Sequence, residues 1–238
     1  MLGGALVLLG GSGFLGWRLL HRVEHLALSQ REVATQVLAE YLAQKNPAKQ
    51  VLVISNPYSQ MKGRPEQVHS YQEAGVAGLR KGFGGKVELK VVFPELKPEV
   101  LTNPGSISVD PNSTTPLSFL VAERAFDDLI RQHPDCQLAV TLIGLPVNLA
   151  AVEAWTKPGA PKFALLLPDW RVVGTRAAIR DAFTSGKIAA AVMDKPDAPQ
   201  NFSVNPGSYQ EEFAKRYSLV TPETVETMMQ SYPRLFPE

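Results

Sequence analysis

The chain has 238 residues, 45% of them apolar and 20% charged, which suits one moderate domain with an added segment and excludes wholesale disorder. Twenty-four basic residues against 23 acidic ones leave a net charge of +1, so the charge gives no support to a nucleic-acid partner. A single cysteine, Cys136, excludes an internal disulfide and a cysteine-rich zinc site.

Residues 1–17 carry no charged side chain, and Arg18 is followed by two leucines. A membrane span needs roughly 20 mainly apolar residues. Leu2 to Leu20 reaches that length if Arg18 snorkels to the interface beside Trp17. A cleaved signal would open with a basic stretch, and no Lys or Arg precedes Arg18. Residues 1–22 are therefore predicted to be an uncleaved, single-pass transmembrane anchor in membrane lipid.

The same segment supports an alternative. Gly11-Ser12-Gly13-Phe14-Leu15-Gly16 fits G-x-G-x-x-G and resembles the opening of short-chain dehydrogenases. That resemblance implies an NAD(P)-binding enzyme whose glycines let the backbone approach a pyrophosphate. The motif needs a second strand ending in Asp or Glu about 20 residues later. Here Arg31-Glu32 falls inside a helical pattern instead.

From Val23 to Gln44 there is neither Pro nor Gly, and Val23, Leu26, Val33, Val37, Leu38 and Tyr41 recur at helical spacing before Asn46-Pro47. Residues 23–46 are predicted to form a helical stalk whose apolar stripe packs on its own domain or on another subunit of a membrane complex.

Beyond Pro47, apolar runs alternate with helical segments. Strands are predicted at Val51–Ser55, Lys86–Phe93, Gln137–Ile143, Phe163–Leu167 and Ile188–Met193. Helices are predicted at Glu66–Lys81, Leu117–Gln132, Asn148–Trp155 and Thr175–Ser185. Unbroken apolar strands between helices predict a mainly parallel sheet of five strands, covered on both faces. The fold class is α/β: anchor and stalk, then a Rossmann-like or flavodoxin-like three-layer sandwich over residues 47–196. Pro94–Pro116 is a long loop of the kind that usually carries function. Residues 197–238 form a tail that wraps the domain or reaches a partner, with a helix at Tyr209–Tyr217 and another starting at Thr221 as N-cap and Pro222.

In open parallel sheets ligands bind beyond the carboxyl ends of the strands. The segments after the predicted strands place Asn56, Tyr58, Ser59, Gly144, Asp169, Trp170 and Asp194 on that rim. Amides, hydroxyls, carboxylates and an aromatic face suit a small polar ligand. Turn chemistry alone also favours such residues. None of His21, His25, His69 and His133 sits at a strand end with a Ser or Asp partner, and no G-x-S-x-G elbow occurs. No catalytic residue, metal site or resident cofactor is assigned.

The stretch Trp170-Arg171-Val172-Val173-Gly174, followed by Ala178 to Val192 with its Ser185-Gly186-Lys187-Ile188 turn, looks like one lobe of type I periplasmic sugar-binding proteins. The resemblance spans residues 50–196, and strand one with its Asn56-Pro57 end is compatible. It implies an extracytoplasmic, non-enzymatic binding domain, whereas Arg18, Arg22 and Arg31 after the span favour a cytoplasmic one. The expected role is a membrane-anchored accessory or scaffold subunit that binds a small polar ligand.

Overall fold

In the computed structural model, residues 29–199 and 208–238 are described. The anchor expected at 1–22 and the glycine motif at 11–16 lie outside them. Among the described residues no helix is long and apolar enough to cross a membrane.

Six strands form one sheet: β1 (Gln50–Ile54), β2 (Glu88–Val92), β3 (Leu138–Thr141), β4 (Lys162–Leu166), β5 (Ile188–Asp194) and β6 (Tyr217–Val220). Their order is β2-β1-β3-β4-β5-β6. The first five are parallel; β1, β3, β4 and β5 are apolar runs buried on both faces, and β2, with Glu88 and Lys90, lies at the sheet's edge. Val51 to Ile54 have no exposed surface, because helices cover both faces of β1. The sixth strand corrects the five-stranded expectation. It runs antiparallel to β5, with Asp194 opposite Tyr217 and Ala191 opposite Val220.

The helices are α1 (residues 29–45), α2 (Glu66–Gly82), α3 (Pro98–Thr102), α4 (Ala125–Gln132), α5 (Glu153–Thr156), α6 (Trp170–Val173), α7 (Arg176–Thr184), α8 (Tyr209–Arg216) and α9 (Val225–Ser231). α1, α2 and α8 cover one face of the sheet, with Leu38, Leu42, Leu79 and Phe213 packed on Val53 and Val140. α4, α7 and α9 cover the other, where Phe126, Phe183 and Met229 join Leu52, Phe163 and Leu165. Cys136 is buried in that second cluster.

The segment expected to form a stalk is, over 29–45, a layer of the body. Leu38 and Leu42 are wholly buried, each contributing roughly 1.5–3 kcal/mol from burial alone. Close approach of α1 to α2 depends on Gly78, where a Cβ would stand 2.1 Å from the Glu32 carbonyl oxygen and the Thr35 hydroxyl.

Other boundaries move too. Asn148–Trp155 is not one helix but a 3-10 turn at Leu149–Ala151 followed, after an extended Val152, by α5. Leu117–Gln132 is not one helix: Pro116–Phe119 is a single 3-10 turn and α4 starts only at Ala125. Between them Val121 bridges Leu96, with Lys97 N–H donating to the Leu120 carbonyl and Ala122 N–H to the Glu95 carbonyl, both at 2.9 Å. These cross-chain bonds take backbone groups that a helix would use. In the tail, Thr221 does not cap α9. Its N–H donates to Thr224 Oγ1 at 2.9 Å, and α9 begins at Val225.

Candidate functional site

β1 leads through α2 to β2 on one side, and the chain then returns to β3 on the other. The carboxyl ends of β1 and β3 are therefore the topological switch point, where an open parallel sheet leaves a crevice. A cavity of about 180 Å³ occupies this place. Asn56 comes after β1, Leu142 and Ile143 after β3, and Leu167 after β4. The long loop roofs it with Thr114 and Thr115, and Arg31 of α1 and Tyr71 of α2 enter from one helical layer.

Arg31 is held at this edge by the packing of α1 on α2. Its Nη2 donates to the Leu142 carbonyl at 3.2 Å, and its guanidinium carbon lies 4.3 Å from the centre of the Tyr71 ring. Nε is buried without a hydrogen-bond partner, and among the described residues no carboxylate pairs with the side chain. Burial pushes the guanidinium below its ordinary value, with Tyr71 opposing the shift. None of the residues lining the crevice is Asp, Glu, His, Cys or Lys.

Leu167 closes the wall between this crevice and a second, larger cavity. It is the one described non-glycine residue with a positive φ, 49°, in a region that costs an L-residue free energy and is tolerated where surrounding contacts fix it. Its N–H donates to the Val192 carbonyl at 2.8 Å.

The second cavity, about 370 Å³, lies beyond the ends of β4 and β5 and is bordered by the tail residues Arg234, Leu235 and Pro237. The expected residues Asp169, Trp170 and Asp194 meet here. Asp169, however, is already saturated. It caps α6, takes hydrogen bonds from Arg171 Nε at 2.9 Å and Nη2 at 2.6 Å, and accepts from the Ser113 hydroxyl at 2.9 Å. Arg171 also reaches Asp110 at 2.7 Å and the Asn112 carbonyl at 3.0 Å. Burial alone would raise the Asp169 carboxyl, but these donors outweigh it and hold the group below the usual carboxylate range, while Arg171 is raised. The pair is a latch on the long loop. Trp170 stacks on Phe236, with centroids 5.3 Å apart, and so fixes the tail. Asp194 stays solvent-reachable, and its partly enclosed surroundings push its carboxyl above the ordinary range. Of the larger cavity's polar wall, Asp169 and Arg171 are tied up in the latch, while Asp194 is not part of it.

The remaining expected residues are turn-builders in this structure. Asn56 borders the crevice, and its Oδ1 accepts from Tyr58 N–H at 2.9 Å to open a 3-10 turn. Ser59 is buried and donates to the Asn56 carbonyl at 2.7 Å. Tyr58 lies under Arg64, 4.5 Å from ring centre to guanidinium. Gly144 has φ +88°, and a Cβ there would stand 2.5 Å from Thr115, so it seats the loop that roofs the crevice.

No family model and no curated protein matches this chain. Solved structures do. A carbohydrate transporter from Acidothermus cellulolyticus, in complex with myo-inositol, has a TM-score of 0.46 at 13% identity over 86% of this chain and 62% of its own. An ABC transporter periplasmic solute-binding protein from Actinobacillus succinogenes with bound D-allose has 0.46 at 13% identity, over 83% and 61%. A solute-binding protein from Mycobacterium smegmatis with bound glycerol has 0.48 at 14% identity, over 84% and 61%. The likeness is one of overall fold. The chain spans about three fifths of the length of these proteins, and no residue of the site is carried over from them.

Strand ends alone do not point to Arg31, Tyr71 or the loop pair Thr114-Thr115. Arg31 and Tyr71 come from helices, and the loop's path is set by the Asp169–Arg171 latch rather than by any local pattern. Arg31 itself stands between Gln30 and Glu32 in an amphipathic stretch, where nothing in the sequence sets it apart from a solvated helix face.

Proposed function

We propose that this domain is a non-catalytic receptor for a small polar ligand, which it holds in the crevice between the ends of β1 and β3. One observation carries the reading: the switch-point cavity has apolar walls and is edged by an arginine, an amide and a phenol, with no His, Cys, Asp or Glu among its lining residues. Such a lining can orient a ligand but holds no group suited to move a proton near neutral pH. A cavity smaller than the usual 300–1,000 Å³ range favours a ligand of few atoms.

In this proposal the receptor serves a membrane complex as an accessory subunit. The charge-free run of residues 1–17 supports attachment to lipid, and the chain's own anchor, first helix or tail would meet the other subunits, with the domain on the extracytoplasmic side. Thermal unfolding of the full chain against a panel of small acids, amides and polyols tests the ligand reading, since a ligand of the native state raises the midpoint. A flat response to the whole panel would refute it. Recovery in the membrane fraction, with the domain cleaved by protease added outside intact cells or spheroplasts, is expected of the attachment. Recovery in the soluble fraction would refute that part.

A further inference from the structure

Resting on that receptor reading, we infer that the ligand is a small organic monoanion: a carboxylic acid with a short apolar body, whose carboxylate sits on Arg31. The crevice combines one largely buried guanidinium with no acidic side chain in its lining. A charge taken out of water is costly unless something opposite compensates it, and among the described residues Arg31 meets a backbone carbonyl and the Tyr71 side chain but no carboxylate. Its Nε is buried without a partner against Gly75 of α2, and the guanidinium as a whole is a planar fork suited to grip a carboxylate through two parallel hydrogen bonds. A polyol would bring hydroxyls to this edge but no charge.

The rest of the cavity limits the size and polarity of the body attached to the carboxylate. Leu117, Leu142, Ile143 and Leu166 make apolar walls, so a short hydrocarbon body gains from burial. Inorganic phosphate would satisfy the guanidinium but waste these walls. A volume of about 180 Å³ leaves no room for a long chain or a nucleotide.

The test is calorimetric titration of the full chain in detergent with sodium butyrate, its neutral isostere butyramide, inorganic phosphate and myo-inositol, each against three proteins: wild type, Arg31→Gln and Thr114→Trp. Thr114 is exposed on the roof, so the tryptophan blocks the crevice without disturbing the core, and it serves if Arg31→Gln fails to fold. Butyrate is expected to bind wild type at least tenfold more tightly than butyramide or phosphate do, and binding should weaken at least tenfold in both variants. Equal binding of butyrate and butyramide, preference for phosphate, or butyrate binding that survives Arg31→Gln or Thr114→Trp would overturn the assignment. If myo-inositol binds, is lost in Thr114→Trp and is kept in Arg31→Gln, the anion assignment fails while a receptor site beside Thr114, which borders both cavities, stands. If no probe binds wild type, both fail.

Discussion

Gly78 of α2 lies so close to Glu32 of α1 that a Cβ on the glycine would stand 2.1 Å from the Glu32 carbonyl oxygen. The atom in the way is backbone, so neither side can yield by changing a rotamer. Gly78→Ala is therefore expected to push α1 off its seat and cost about 3 kcal/mol, the upper end for overpacking. Gly105→Ala, whose nearest neighbour would be a side-chain atom at 3.9 Å, should leave stability within about 0.5 kcal/mol. Urea denaturation of the two variants checks this. Equal midpoints would mean that α1 is loosely attached, and with it Arg31.

The tail is held by an aromatic stack. Phe236 is 2% exposed, 5.3 Å from Trp170 between centroids, and beside it Arg176 donates to the Pro233 carbonyl at 2.9 Å. Phe236→Ala is expected to cost about 3–5 kcal/mol, as for other buried phenylalanines, and to change the Trp170 emission because one ring face becomes wet. Leu101→Ala, at a side chain 64% exposed, is the neutral control. Denaturation monitored by tryptophan fluorescence reads both effects at once.

Asp169 gives stability a pH dependence of known sign. Its carboxyl is held below the usual range in the folded chain, so its contribution is present above the unfolded value near 3.9 and fades as pH falls through the lower folded value. Asp169→Asn should cost about 2 kcal/mol at pH 7, where hydrogen bonds to a charged group are lost, and the gap to wild type should narrow below about pH 4. Thermal midpoints across pH 3–7 decide it. A constant gap would mean that the latch is held by the shape of the turn and not by the charge.

How far these features can be read from sequence depends on how local they are. β1, β3, β4 and β5 are legible because each is a nearly continuous apolar run, as burial on both faces demands, while β2, with Glu88 and Lys90, is the half-exposed edge strand. β6 is not: Tyr217–Val220 comes after α8 without a turn residue, and only pairing with β5 makes it a strand. Asp169 and Trp170 are legible as rim residues, but their partners Arg171 and Phe236 decide whether they face a ligand or the protein. Position 144 is legible as a rim position. That it carries a loop instead of a ligand is decided by Thr115, 29 positions earlier in the chain.

A buried phenol and a carboxylate facing each other across β5 and β6 supply the last prediction. Burial, reinforced by the charge of Asp194, pushes Tyr217 up to about 12, and the two residues are directly paired in the ladder. The folded chain therefore holds the Tyr217 proton more tightly than the unfolded chain does. That advantage is complete below the unfolded value of about 10 and is lost as pH rises through about 12. Asp194 is also raised, so its stabilising contribution exists below pH of about 4 and is gone once pH has passed its folded value. At neutral pH its ionised form weighs against folding. Asp194→Asn should thus raise the thermal midpoint at pH 7 and not at pH 3, and should bring the late tyrosinate absorbance step down from about pH 12. A midpoint that falls at pH 7 would show that the carboxylate has a cationic partner in solution.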